Sequence, residues 1–132
     1  MTILKRKISE KSEKSRGAVA VEFALVVPFL LLLVAGLIEF ANVYNAQISV
    51  TQAAREAARS MAIHNNQGTA EAAAAAGAPG LDTAGFGYAF SPTACASGAN
   101  IQVTIDYEAD SLTGLFGDTI TLTGVGAMRC GG

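Results

Sequence analysis

Glu22 stands five residues after Gly17, in the segment RGAVAVEFALVVPFLLLL (16–33), where its neighbours are almost all apolar. An ionised carboxylate at the middle of a bilayer costs about 2.5 kcal/mol or more on an isolated helix, and less near the edge. Glu22 therefore needs either a cationic partner or a route to water. A second reactive pair is Cys95 and Cys130, the only thiols in the chain. Their even number in a segment expected outside the cytoplasm fits a disulfide, with two reduced buried thiols as the alternative. Asp106, Glu108 and Asp110 fall on one side of an alternating segment and present oxygen ligands of the kind Ca2+ takes. No second ligand set accompanies them, and a solvated acidic face is the simpler reading. His64, the single histidine, lies beside two asparagines, where a helix-terminal polar group is expected. The glycines of GFGYAF (85–90) and GVGAMR (124–129) lack the spacing of a phosphate-binding loop. Nothing assembles a nucleophile, a base and an orienting acid. The sequence thus names no catalytic residue, metal or cofactor, and reads as a non-enzyme.

The element that must position Glu22 is an apolar span. From Ala18 to Ile38 there are 21 residues interrupted only by Glu22. At 1.5 Å per residue they cover about 31 Å, the thickness of a bilayer's hydrocarbon core. Residues 1–17 carry six Lys/Arg against two Glu, a net +4, while residues 18–132 carry three Arg against nine acids, a net −6. The basic flank is expected to stay in the cytoplasm and the acidic remainder to be exported. A basic tail that binds nucleic acid or anionic lipid is the alternative, but next to a span, topology explains it more simply.

Residues 1–16 are charged, without apolar periodicity, and are expected to be disordered. The span continues past Ile38 with no stop signal, so one helix is expected from about Ala18 to Ile63, with Pro28 kinking it or opening its hydrogen-bond ladder. Phe40, Tyr44, Ile48 (or Gln47), Thr51, Ala54, Ala58 and Ala62 recur at spacings of three and four and read as one stripe. Arg55 and Arg59 lie on another face. Solvent is their default environment, with lipid headgroups, acids or another subunit as further options. HNNQG (64–68) ends the helix. TAEAAAAAGAPG (69–80) reads as a short helix with Gly77 past its end and Pro79 as a stop, or else as a flexible linker. A loop is expected over 81–100. Two strands follow, with Ile101, Val103, Ile105 and Tyr107 facing inward on the first and Ile120, Leu122, Gly124, Gly126 and Met128 sharing a face of the second. SLTGLFGD (111–118) connects them. The expected fold is α+β: a leader (1–17), a long helix (18–63) with a transmembrane first half, and an exported head (64–132) with a hairpin or small antiparallel sheet.

The mature N-terminus decides what Glu22 does. An ordinary signal peptide would be cut after the apolar run, near Gly36, and would leave Glu22 without a purpose. Cleavage between Gly17 and Ala18 would instead free an amine, positively charged at neutral pH. Glu22 would then be the fifth residue of the mature chain. In an array of parallel helices one subunit's Glu22 can meet the next subunit's amine, and a shift of register leaves both unpaired. A glutamate reaching to the cytoplasmic surface of a plain anchor is the competing reading.

RG followed by AVAVEF and a long apolar stretch resembles the class III processing site of type IV pilin-like proteins. VTQAAREAARSMA (50–62) and TLTGVGAMRC (121–130) resemble the TadE-like branch, minor pilins or pseudopilins of tight-adherence pili. The resemblance implies that a prepilin peptidase removes residues 1–17, with Gly17 and Ala18 flanking the scissile bond and Glu22, followed by Phe23, as the assembly glutamate. It also implies an inner-membrane protein whose partners are other pilin-like subunits and the tight-adherence assembly platform, with no nucleic acid. Major pilins of this type usually have Tyr after the glutamate and little beyond the helix. Phe23 and the sizeable exported segment fit a minor subunit. The family often has an acid near the C-terminus, where this chain has Cys130-Gly131-Gly132, a departure that favours Cys130 as a staple. The alternatives are a permanently anchored envelope protein whose head binds a periplasmic partner, and a small secreted protein.

Overall fold

The computed structural model describes residues 15–131, and hence α1 (Thr2–His64) from Ser15 onward. Residues 1–14 of the expected leader, and the disorder expected for them, lie outside the described residues. The helix does not begin at Ala18 as expected, because Ser15, Arg16 and Gly17 are already helical. A glycine inside a helix costs about 1 kcal/mol relative to alanine, which the long apolar helix that follows can absorb. Pro28 lies within α1, which runs on to His64.

The chain divides into two compact units, residues 1–38 and residues 39–132. In the first, none of the residues in the most apolar stretch of α1 is buried by the rest of the described protein. Phe23, Phe29 and the leucines 30–33 all point outward. A helix that is apolar all round and unburied is long enough and greasy enough to cross a membrane.

The second unit is an α+β head built around the outer half of α1. After α1 come α2 (Gln67–Gly77), a single 3-10 turn (Thr83–Gly85), β1 (Gly87–Ser91), β2 (Asn100–Asp110) and β3 (Thr119–Arg129). The strands form an antiparallel sheet in the order β1-β2-β3. Asn66 caps α2, its side-chain oxygen accepting from the Thr69 amide at 3.0 Å, which replaces one of the bonds the first helical turn lacks. Gly77 is the last residue of α2 rather than the residue past its end. Its Cα faces α1, where an added methyl would press on Glu56 Cγ at 3.1 Å. β1 falls in the segment expected to be a loop. It is only five residues long, and its neighbouring glycine and proline disguise the alternation of Tyr88 and Phe90.

Ile101, Val103 and Ile105 are fully buried, as their alternation requires, and pack with Val50, Ala53, Ala54, Ala57, Ala58 and Met61 of α1. On β3, Leu122, Gly124 and Gly126 face the same side, whereas Met128 is largely exposed. The two glycines set the distance between layers. A methyl at Gly124 would lie 2.5 Å from the Val50 carbonyl oxygen, and one at Gly126 would lie closer still to that of Ala54. The backbone of α1 therefore rests directly on β3. The buried stripe of α1 runs through Glu39, Ala46, Val50, Ala53/Ala54, Ala57/Ala58 and Met61/Ala62. It coincides with the expected stripe only from Ala54 onward. Phe40, Tyr44 and Ile48 are exposed, displaced from the buried face by about one helical position.

Because α1 and β3 meet through bare backbone, Gly126→Ala is expected to destabilise the head by about 1–3 kcal/mol, the usual cost of overpacking. Thr121→Ala on the opposite face of β3 should stay within about 0.5 kcal/mol. Denaturant titration of the detergent-solubilised chain checks both.

Candidate functional site

Gly17, Ala18 and Glu22 occupy consecutive turns of one helix. Among the described residues, nothing outside the local helix backbone lies within 4 Å of where a methyl on Gly17 would sit. Glu22 is exposed, and among the described residues it has neither a hydrogen bond nor an ion pair. Its neighbour Phe23 is exposed as well. The carboxylate is thus displayed on an apolar surface, and the described chain contributes nothing that balances its charge.

Cys95 and Cys130 form a disulfide with Cα atoms 5.6 Å apart. Asn65 positions one side of it. This residue ends α1 with φ 47°, in the left-handed region that asparagine tolerates. Its Oδ1 accepts from the Cys95 amide at 2.6 Å and its Nδ2 donates to the Cys95 carbonyl at 3.3 Å. On the other side the Cys130 amide donates to the Ala99 carbonyl at 2.8 Å, and the Gly131 amide to the Ala62 carbonyl at 3.4 Å. The bridge spans 35 residues of sequence, a loop worth on the order of 4 kcal/mol in the chain-entropy model. It closes the end of the sheet over the end of α1.

Glu39 was not singled out by sequence reasoning, yet it organises the opposite end of the head. It follows the apolar run directly and is 1% exposed. Its carboxylate accepts from the Leu112 amide at 3.0 and 3.1 Å, from the Thr113 amide at 3.0 Å and from the Thr113 hydroxyl at 3.1 Å. The β2–β3 connection is thereby clasped to α1. Within the loop Ser111 Oγ accepts from the Gly114 amide at 2.9 Å, and Gly114 and Gly117 adopt φ of 69° and 109°, turns that residues with a Cβ rarely make. The only signal in the sequence was a lone acid at the end of a span, and its partners lie 73 and 74 residues away.

Asp106, Glu108 and Asp110 are all exposed on one face of β2, and Asp106 accepts from the Thr123 hydroxyl at 2.7 Å. Among the described residues no group of three or more His, Cys, Asp or Glu is placed to hold a metal ion. His64 is exposed in the last turn of α1, and Arg55 and Arg59 face outward. The family model for TadE-like proteins matches residues 17–59, about a third of the chain. The match runs from Gly17 through the span to Arg59, so the resemblance read from the residues is found on the helix. No curated protein and no solved structure matches the chain.

Hydrogen bonds from Ser111, and then from the amides of Leu112 and Thr113 and the Thr113 hydroxyl, outweigh burial and hold the Glu39 carboxyl below its ordinary value of 4.5. The clasp is therefore at full strength above that value and is lost as pH falls through the lower folded-state value. Hydrogen exchange should show Leu112 and Thr113 amides protected at neutral pH. That protection should fade below pH 4.5, after correction for intrinsic rates. Glu39→Gln should weaken protection at neutral pH and flatten its acid dependence.

Proposed function

We propose that the chain is a minor pilin-like subunit of a tight-adherence pilus, processed between Gly17 and Ala18 and assembled through Glu22. The observation that carries this reading is the unpartnered Glu22 on an unburied apolar helix, within the segment that matches TadE-like proteins. After cleavage Ala18 bears a free amine. A neighbouring subunit's Glu22 can pair with that amine in the low-dielectric interior of a helix bundle, so assembly supplies what the isolated chain lacks. The exposed Phe40, Tyr44 and Ile48 extend the apolar surface past the span and give adjacent helices more to pack on.

In this reading residues 1–17 stay on the cytoplasmic side of the inner membrane until a prepilin peptidase removes them, and the disulfide-closed head is exported. The head meets other pilin-like subunits or the assembly platform, and no reaction is assigned to it. A second reading, a permanently anchored envelope protein with its leader retained, draws on the continuity of α1 through Gly17. It gives Glu22 no role.

Glu22→Ala separates the two. Under the assembly reading, cells carrying it make the protein at the normal level and keep it in the membrane, yet shed no pili detectable by microscopy or by immunoblot of sheared fractions. Normal piliation by Glu22→Ala cells would sink the assembly role.

A further inference from the structure

The loop that Glu39 holds has an apolar outer surface. Leu112, Leu115 and Phe116 are 63, 50 and 70% exposed, the last being the most exposed large hydrophobic side chain of the head. Eight residues bounded by Asp110 and Thr119 have no need of three bare hydrophobes to make a turn, since Gly114, Gly117 and the Ser111 hydrogen bonds already do so. The position of the loop accounts for them. Its amides bond to the side chain of the first residue after the apolar run, one helical step or about 1.5 Å beyond Ile38. The polar layer of a bilayer is about 5–8 Å thick on each side. Because Glu39 is bonded directly to Ile38, a loop tied to its carboxylate stays within reach of that layer wherever the run from Ala18 to Ile38 fills the hydrocarbon core.

The adjoining turns of α1 have the same character. Phe40 and Tyr44 are exposed and stacked, with ring centroids 6.1 Å apart, where membrane proteins concentrate aromatic rings at the headgroup level. We infer that the β2–β3 tip is a second membrane contact, in which Leu112, Leu115 and Phe116 dip into the interfacial layer of the bilayer that α1 spans. The clasp fixes the loop's depth and the glycines let its tip flatten against the lipid. The inference rests on the span alone and is indifferent to whether the leader is removed, so it can fail without the assembly reading and the reverse.

The chain contains no tryptophan, so one introduced indole reports its own surroundings. The full chain carrying Phe116→Trp, and separately Leu115→Trp, is reconstituted into phosphatidylcholine–phosphatidylglycerol vesicles in which the phosphatidylcholine is brominated near the headgroup end of its acyl chains. Val125→Trp, on an exposed β3 position about 20 Å along the strand from Thr119 at 3.3 Å per residue, serves as the comparison. The inference expects blue-shifted emission at 115 and 116 that loses most of its intensity to the brominated lipid, while the indole at 125 keeps its intensity. Water-like emission at both loop positions, insensitive to bromine, would overturn it. So would blue-shifted emission that bromine does not quench, because the tip would then be covered by protein, such as a second copy of the chain. Equal quenching at 125 would also count against it, since the loop would have no special access to lipid.

Discussion

Backbone-to-backbone approach between α1 and β3 is the constraint on which the head depends. Val50 and Ala54 present carbonyls to Gly124 and Gly126 at distances that leave no room for a Cβ. The small side chains at 53, 54, 57 and 58 on the helix allow the same approach beside it. A chain this rich in alanine and glycine has few large side chains with which to fill a thick core. It answers with a thin one in which layers touch directly, and dispersion between closely fitted atoms replaces bulk. Two fastenings complete it: the Cys95–Cys130 bridge over the end of α1, and the Glu39 clasp where α1 leaves the apolar run. The bridge joins the β1–β2 connection to the end of β3, and the clasp ties the β2–β3 connection to α1.

Two glutamates on one helix meet opposite circumstances. Glu39 has its charge satisfied within the chain, by amides and hydroxyls on a loop that folds back to it. Glu22 sits in the middle of apolar residues with no partner among the described residues. A buried carboxylate must be hydrogen-bonded or paired, and in a membrane the alternatives to a partner are few. Such a residue is explained from outside the chain. This physical asymmetry, together with the family match on the helix, is what supports the proposed assembly role of Glu22.

The elements whose signals are local were legible in the sequence. The span follows from an apolar run broken only by Glu22. β2 and β3 follow from strict alternation, in which Gly124 and Gly126 held the inward positions although a glycine carries no hydropathy of its own. The disulfide follows from an even number of thiols in a segment whose acidic balance leads one to expect export. What depended on distant contacts was not legible. Glu39 owes its burial to a loop more than seventy residues away. Phe40, Tyr44 and Ile48 have the size and spacing of a core stripe, but the face that binds the sheet is the one that carries the small Ala53, Ala54, Ala57 and Ala58, about one position round the helix. β1 is an edge strand of five residues, stabilised by its pairing with β2 rather than by its own composition. Glu22 was legible as a spacing, and no partner for it lies among the described residues.

Removal of the leader is the step on which pairing of Glu22 with a neighbour's amine depends, and the N-terminus of the native protein reports it directly. Intact mass together with N-terminal sequencing of the protein from native membranes should give Ala18 as the first residue, with the rest of the chain unshortened and two hydrogens lighter for the closed bridge. An N-terminus upstream of Gly17 would leave no amine at Ala18 and would contradict assembly through Glu22. One near Leu37 would remove Glu22 altogether and contradict it equally.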